Sequence, residues 1–358
     1  MKEISLCMIV KNEELVLKNC LESIYKLVDE IIIVDTGSTD ATKEIAKNYT
    51  NKIYDFEWSN DFSAARNFSF SKATKDYILW LDADDILTLQ NQNKFLALKQ
   101  SLDGSVDLFY FKYEIAFDEM NNPTFSYNRE RLLKNDGSFF WSGTVHEAIT
   151  PHGKTQICDV AIRHNKINFK NPKRNLKIYQ SQLKQGHKFN AREQYYYARE
   201  FFYNGYYKKC ITELNRFLKM PDAWIENVID ALTMKANCHI ILKENDKALN
   251  CLFSCLNLNT TQAKTMCMIG DILQQQSNFK SAIFWYSNAL NQSIDNTLGS
   301  FIEEEYYNIY PSLQLCVCYY NLGDVKTSKF YNDLALKTKP YHKIALQNDN
   351  FFKSINNL

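Results

Sequence analysis

"YILWLDADDILT", residues 77–88, runs apolar or aromatic from Tyr77 to Leu81 and then places Asp82, Asp84 and Asp85 within four positions. A short continuous apolar run bounded by polar residues fits a strand buried on both faces of a sheet. Three carboxylates at its end repel one another and require a counter-charge. Hard cations such as Mg²⁺ or Mn²⁺ bind carboxylate and phosphate oxygens together, so Asp82-x-Asp84 suits a metal that holds a diphosphate. An isolated D-x-D is more often a solvated turn that caps the next helix. The surrounding sequence has to decide between the two.

Upstream, "EISLCMIV" (3–10) reads as a strand, followed by a helix with Leu17, Cys20, Leu21, Ile24, Leu27 and Val28 on one face. "EIIIVD" (30–35) is a second buried strand, and "TGSTD" turns the chain with Ser38, Thr39 or Asp40 available to cap a helix. "KIYDFEW" (52–58) and "YILWLD" (77–82) continue the alternation. The expected fold is α/β, a mostly parallel, Rossmann-like sheet with helices on its faces. Ligands bind such sheets beyond the carboxyl ends of the strands, so Asp35 and Asp82, the expected last residues of two strands, should face one crevice.

The chain has 358 residues, 45% of them apolar, which is room for about two domains. Lys plus Arg number 42 against 41 for Asp plus Glu, a balance that argues against a polyanion-binding surface, and no nucleic-acid partner is expected. No secretory signal is visible and no apolar run approaches the ~18 residues of a membrane span. The ten cysteines, lacking C-x-x-C pairs, are expected to be buried reduced thiols in a cytoplasmic protein.

After "NFKNPKRN" (168–175) β-rich runs give way to helical pairs. Aligning the segments that begin at Asn204, Leu242, Gln276 and Leu322 superposes the small residues Cys210, Ala248, Ala282 and Ser328. The 34-residue middle interval is the tetratricopeptide period, and the unequal flanking intervals imply insertions. The expected organisation is an α/β domain over 1–168, a connecting helical segment over 169–189 and an all-α tetratricopeptide-like array over 190–358.

Four ordered motifs, "SLCMIVKNEE", "IIIVDTGSTDAT", "FSAARNFSFSKATKDYILWLDADD" and "FFWSGTVHEAI", together resemble the family 2 glycosyltransferases of GT-A fold, over roughly the first 165 residues. The resemblance implies that Asp35 meets the uracil or ribose of a nucleotide sugar. Asp82 would lie near ribose and metal, and Asp84 would ligate the metal. Arg66 would steady the diphosphate or the carboxylates, with an ion pair to Asp61 or to a strand-end Asp as its structural alternative. Gly143 would sit in a close-approach loop, His146 would orient that loop, and Glu147 would be the catalytic base. His164 falls where many such enzymes carry a late metal-binding His, although a purely structural His fits equally well. His146-Glu147 is not a zincin motif, because position 150 is Thr, and "GKT" at 153–155 lacks the upstream Gly of a P-loop.

The implied activity is metal-dependent inverting sugar transfer, with Mn²⁺ or Mg²⁺ as cofactor and UDP-glucose or UDP-N-acetylglucosamine as donor. A glycosyltransferase domain followed by helical repeats also resembles the peptide S-glycosyltransferases of sublancin-type glycocins, which favours a peptide or protein Cys or Ser acceptor and a homodimer through the repeats. A thiol is easier to deprotonate than a hydroxyl. Enzymes of cell-surface polysaccharide or lipid-linked glycans share the architecture. A non-catalytic repeat scaffold and a nucleotidyltransferase are rival classes; retention of Asp35, Asp82, Asp84 and Glu147 opposes the first, and the lack of a Gly-rich phosphate loop near residue 11 opposes the second.

Overall fold

The computed structural model describes residues 2–118, 120–165, 173–258, 262–293 and 303–356. The chain divides into two compact units, 1–187 and 188–358. The first unit runs β1 (Ile4–Val10), α1 (Leu17–Ile24), β2 (Glu30–Asp35), α2 (Thr42–Lys47), β3 (Ile53–Asp55), α3 (Phe62–Phe70), β4 (Tyr77–Trp80), β5 (Asp85–Ile86) and α4 (Leu89–Ser101). It continues with β6 (Leu108–Phe117), β7 (Pro123–Lys134), β8 (Trp141–Ser142), β9 (Ala148–Ile149), β10 (Thr155–His164) and α5 (Arg174–Lys184).

Eight strands form one sheet in the order β3-β2-β1-β4-β7-β6-β10-β5. The first four are parallel, β7 is antiparallel to both its neighbours, β10 is parallel to β6, and β5 is antiparallel to β10. The apolar runs are continuous because both faces are covered. Ile4, Leu6, Met8, Ile31, Ile33, Tyr77 and Leu79 pack into one core with Leu17, Cys20 and Leu21 of α1 and Phe95 of α4. The alternate residues Cys7, Ile32, Val34, Ile78 and Trp80 pack on the other side with Phe70 of α3 and with Trp141.

Two local expectations are corrected. Helix α1 ends at Ile24, so Leu27 and Val28 lie beyond it and pack on the core from the turn into β2. None of Ser38, Thr39 and Asp40 is the N-cap of α2; Ala41 holds that position, and Asp40 instead accepts hydrogen bonds from the backbone and hydroxyl of Thr42.

The second unit is helical throughout its described residues: α6 (Ala191–Tyr203), α7 (Tyr207–Phe217), α8 (Ile225–Ile241), α9 (Asn245–Leu258), α10 (Ala263–Gln275), α11 (Phe279–Leu290), α12 (Ile309–Asn321), α13 (Val325–Thr338) and α14 (Lys343–Asn356). Consecutive helices pair as α6/α7, α8/α9, α10/α11 and α12/α13. Cys210, Ala248, Ala282 and Ser328 each occupy the fourth position of the second helix of a pair, and all four are fully buried. A small side chain there lets the two helices of a hairpin approach closely, which is the repeat that the alignment detected. The long interval before Ser328 contains a 3₁₀ turn at Glu304–Tyr307. The boundary stretch 168–175 lies mostly outside the described residues.

All ten cysteines are free, and nine are buried. Among the described residues no helix is long and apolar enough to cross a membrane.

Candidate functional site

The site lies beyond the carboxyl ends of β1, β2 and β4. Asp35 is the last residue of β2 and is 2% exposed. Its Oδ1 accepts from the backbone N–H groups of Gly37 and Ser38, both at 2.9 Å, while its Oδ2 is buried without a hydrogen-bond partner. Gly37 has φ +100°, a conformation that glycine adopts without strain. A buried carboxylate oxygen with no partner is costly, and a bound ligand hydroxyl or N–H would relieve it.

Strand β4 ends at Trp80, two residues before Asp82. Asp82 Oδ1 accepts from Arg66 Nη2 at 2.7 Å, and Glu147 Oε1 accepts from Nε of the same guanidinium at 2.7 Å. Arg66 is 8% exposed, and its guanidinium lies 5.1 Å from the Trp80 ring and 4.7 Å from that of Trp141. Burial alone would raise the Asp82 carboxyl, but Arg66 and Arg131 outweigh it and hold the group well below the usual range. Arg66 pairs with this acid rather than with Asp61, which caps α3 by accepting from Ala64 N at 3.0 Å.

The "AARN" segment shows why α3 matters. Its Arg66 gathers two acids, while Asn67 clamps β8, donating to Trp141 O at 2.9 Å and accepting from Trp141 N at 2.8 Å. Strands β8 and β9 form a small hairpin whose connection carries Gly143, His146 and Glu147. Further anchors on this loop are Phe62 N to Thr144 O at 2.9 Å and the buried Tyr179 hydroxyl of α5 to Val145 O at 3.2 Å. Gly143 has φ +91° and His146 φ +53°. A Cβ added at Gly143 would meet nothing closer than 3.7 Å, so the glycine serves its backbone angle rather than a close approach.

His164 reaches the acids because β10 pairs with β5, His164 opposite Asp85. The donor atoms of Asp84, Asp85 and His164 lie within 4.8 Å of one another. Asp82 is outside this group. Both oxygens of the fully buried Asp85 are already used: Oδ2 accepts from Arg131 Nη1 at 2.8 Å and from Asp82 N at 3.0 Å, and Oδ1 from the Tyr113 hydroxyl at 2.9 Å. His164 Nδ1 lies 2.9 Å from the same hydroxyl, and since that proton goes to Asp85, the imidazole is the donor there. Asp84 and His164 offer the oxygen and imidazole donors that Mn²⁺ or Mg²⁺ accepts, with Asp85 beside them. Burial opposes protonation of His164, yet hydrogen bonds to Asp84 and Asp85 push it up to about 9.

Sequence reasoning gave no role to Asp85, Arg131, Tyr113 or Glu13. Glu13, in "KNEE", is pushed up to about 7 by burial and then by Asp84, Asp82 and Asp40, against Arg174, so it belongs to the same acidic crevice. Its place directly after β1 was the available signal. Arg131 and Tyr113 gave none, since their roles depend on strand pairings 46 and 28 residues from Asp85.

Residues 5–151 match the family described as Glycosyl transferase family 2. The chain is 37% identical over 150 residues to a TPR repeat-containing protein of Synechococcus elongatus, covering 42% of this chain and 36% of that protein. It is 28% identical over 255 residues to the SPbeta prophage-derived glycosyltransferase SunS of Bacillus subtilis, covering 66% of this chain and 58% of SunS. The chain therefore spans between about a third and three-fifths of the length of these two curated relatives. Among solved structures, MamA aligns over 49% of this chain and 96% of its own at 16% identity and a TM-score of 0.39. YrrB, titled a TPR protein with an unusual peptide-binding site, aligns over 50% and 84% at 16% identity and a TM-score of 0.38. The four motifs and the acids Asp35, Asp82 and Asp84 of the amino-terminal unit all fall within the stretch that is similar to glycosyl transferase family 2.

Proposed function

We propose that the chain is an inverting glycosyltransferase that moves a hexose from a UDP-sugar to the side chain of a peptide Cys or Ser. The observation that carries this reading is the bridge from Asp82 through Arg66 to Glu147, which ties a donor-side acid at a strand end to a carboxylate on a separate loop. Asp35, with its partnerless Oδ2, takes the uracil or ribose. Asp84 and His164 would hold the Mn²⁺ or Mg²⁺, and Asp82, outside that group, would stand near the ribose. When bound, that ion supplies positive charge against the departing diphosphate.

Glu147 takes the proton of the acceptor thiol or hydroxyl as its sulfur or oxygen attacks the anomeric carbon. The new bond to that carbon forms while its bond to the diphosphate oxygen breaks, and the nucleoside diphosphate leaves with the electron pair. Attack opposite the leaving group inverts the anomeric centre. The buried walls of Trp80 and Trp141 keep the Arg66 charge in a low-dielectric setting, where its bonds to both acids are strong. The sugar-transfer site belongs to the domain over 1–168, and the repeats over 190–358 recruit the acceptor, the use to which helical arrays of this kind lend themselves.

A donor screen tests the reading. The full chain is incubated with several nucleotide sugars, Mn²⁺ and Cys- or Ser-containing peptides, and nucleoside diphosphate release and product mass are followed. Added hexose mass on a peptide is expected, and light scattering reports whether the chain is a dimer. Transfer to saccharides or a lipid carrier but to no peptide would replace the peptide reading with the glycan one, and an added nucleotide mass would overturn sugar transfer altogether.

A further inference from the structure

We infer that Arg66 is a positioning residue that couples the acceptor-side base to the donor-side acid, so that the two halves of the site act as one unit; the inference rests on the proposed role of Glu147 as base. One buried guanidinium spends Nε on Glu147 and Nη2 on Asp82, each at 2.7 Å. Those two carboxylates come from elements distant in sequence, 81 and 16 residues from Arg66. Side-chain exposures of 9% for Arg66 and 10% for Glu147 keep the bond between them largely out of water, and Asp82 is 30% exposed on the open side. Trp80 and Trp141 confine the guanidinium plane, so it has no freedom to serve one acid and abandon the other without turning out of its slot.

The consequence is geometric. Whatever fixes Asp82 on the donor side also fixes the guanidinium, and through Nε it fixes Glu147 Oε1. That leaves Oε2 of Glu147 as the oxygen with no bond to Arg66, and it is the one that takes the acceptor proton. Lysine offers a single point charge in place of two separated N–H donors and does not reproduce the bridge.

A double-mutant cycle tests the coupling. Wild type, Arg66→Gln, Glu147→Gln and the double variant are compared in kcat for transfer and in donor affinity by calorimetry, with far-ultraviolet circular dichroism to establish folding. Arg66→Gln is expected to lower kcat about 30-fold in wild type but less than about threefold in the Glu147→Gln background, because its effect on turnover runs through Glu147. Its effect on donor affinity should be the same in both backgrounds. Arg66→Lys, which keeps the buried cation and so the best prospect of folding, is taken through the same cycle and should show the same non-additivity in kcat.

Equal kcat losses in both backgrounds would overturn the coupling and leave Arg66 with a role independent of Glu147. Undiminished turnover in Glu147→Gln alone is a different failure, that of Glu147 as base.

Discussion

Asp84 and Asp85 are adjacent, carry the same group and do opposite work. Asp85 is fully buried, its carboxylate paired with an equally buried Arg131 and capped by Tyr113 and the Asp82 backbone N–H. Asp84 is partly exposed, and its Oδ1 lies 3.4 Å from His164 Nδ1. Replacing Asp85 by Asn strands a buried guanidinium, and breaking such a pair costs about 3–5 kcal/mol. Chemical denaturation should show that loss directly. Asp84→Asn should change stability by no more than about 0.5 kcal/mol, as at other partly exposed positions, while abolishing Mn²⁺-dependent donor binding in calorimetry. Unchanged donor affinity in Asp84→Asn would remove Asp84 from the metal site. In sequence the resemblance gave Asp84 the metal and left Asp85 without a role. What separates them is Arg131, brought beside Asp85 by the pairing of β7 with β4.

Among elements, legibility followed the distance over which each decision is made. Strands β1, β2 and β4 could be read because an apolar run reports burial on both faces locally, and Asp35 because it closes such a run. The β5–β10 pairing that delivers His164 could not, since no local pattern specifies which distant strand a two-residue strand will meet. The far end of the sheet has its own device. Glu30, at the head of β2, accepts from Ser5 of β1, from Lys52 before β3, and from the backbone and hydroxyl of Thr74 before β4. Burial raises its carboxyl, but Lys52, Ser5 and Thr74 outweigh that and lower it from 4.5 to about 2. A folded-state value below the unfolded one stabilises fully above about pH 4.5, and the contribution is lost as the pH falls from there through about 2. The side chain is 2% exposed, so the contribution at neutral pH is about 3 kcal/mol. Wild type should therefore exceed Glu30→Gln in urea stability at pH 7, with the gap closing as the pH approaches 2.5. A gap independent of pH would mean that Glu30 contributes shape and hydrogen bonds rather than charge.

For the molecule as a whole, the two units answer to different physics. The sheet unit depends on long-range pairings, whereas a helical array is held by each hairpin and its nearest neighbours, so damage there stays local. Gly270, on α10, tests this. A Cβ at that position would fall 2.6 Å from Cε1 and 2.8 Å from Cζ of Tyr286 on α11. The ring cannot simply swing aside: it is fully buried, and its hydroxyl is tied to Asp271 at 2.7 Å and Gln274 at 2.9 Å. Tyr310 of α12 bonds the same Asp271 carboxylate at 2.9 Å, so a shift of the ring disturbs three helices. Overpacking of this kind costs about 1–3 kcal/mol. In Gly270→Ala, hydrogen exchange should accelerate by a factor of about 5 or more at amides of α10, α11 and α12, while amides of β1, β2 and β4 keep their wild-type rates. On the peptide-acceptor reading, the same variant should lose transfer to peptide more than it loses donor hydrolysis to water, because the donor site lies wholly within the first unit. Equal acceleration of exchange in sheet and array would show that the chain opens as one cooperative body, and it would remove the basis for assigning donor chemistry and acceptor recruitment to separate units.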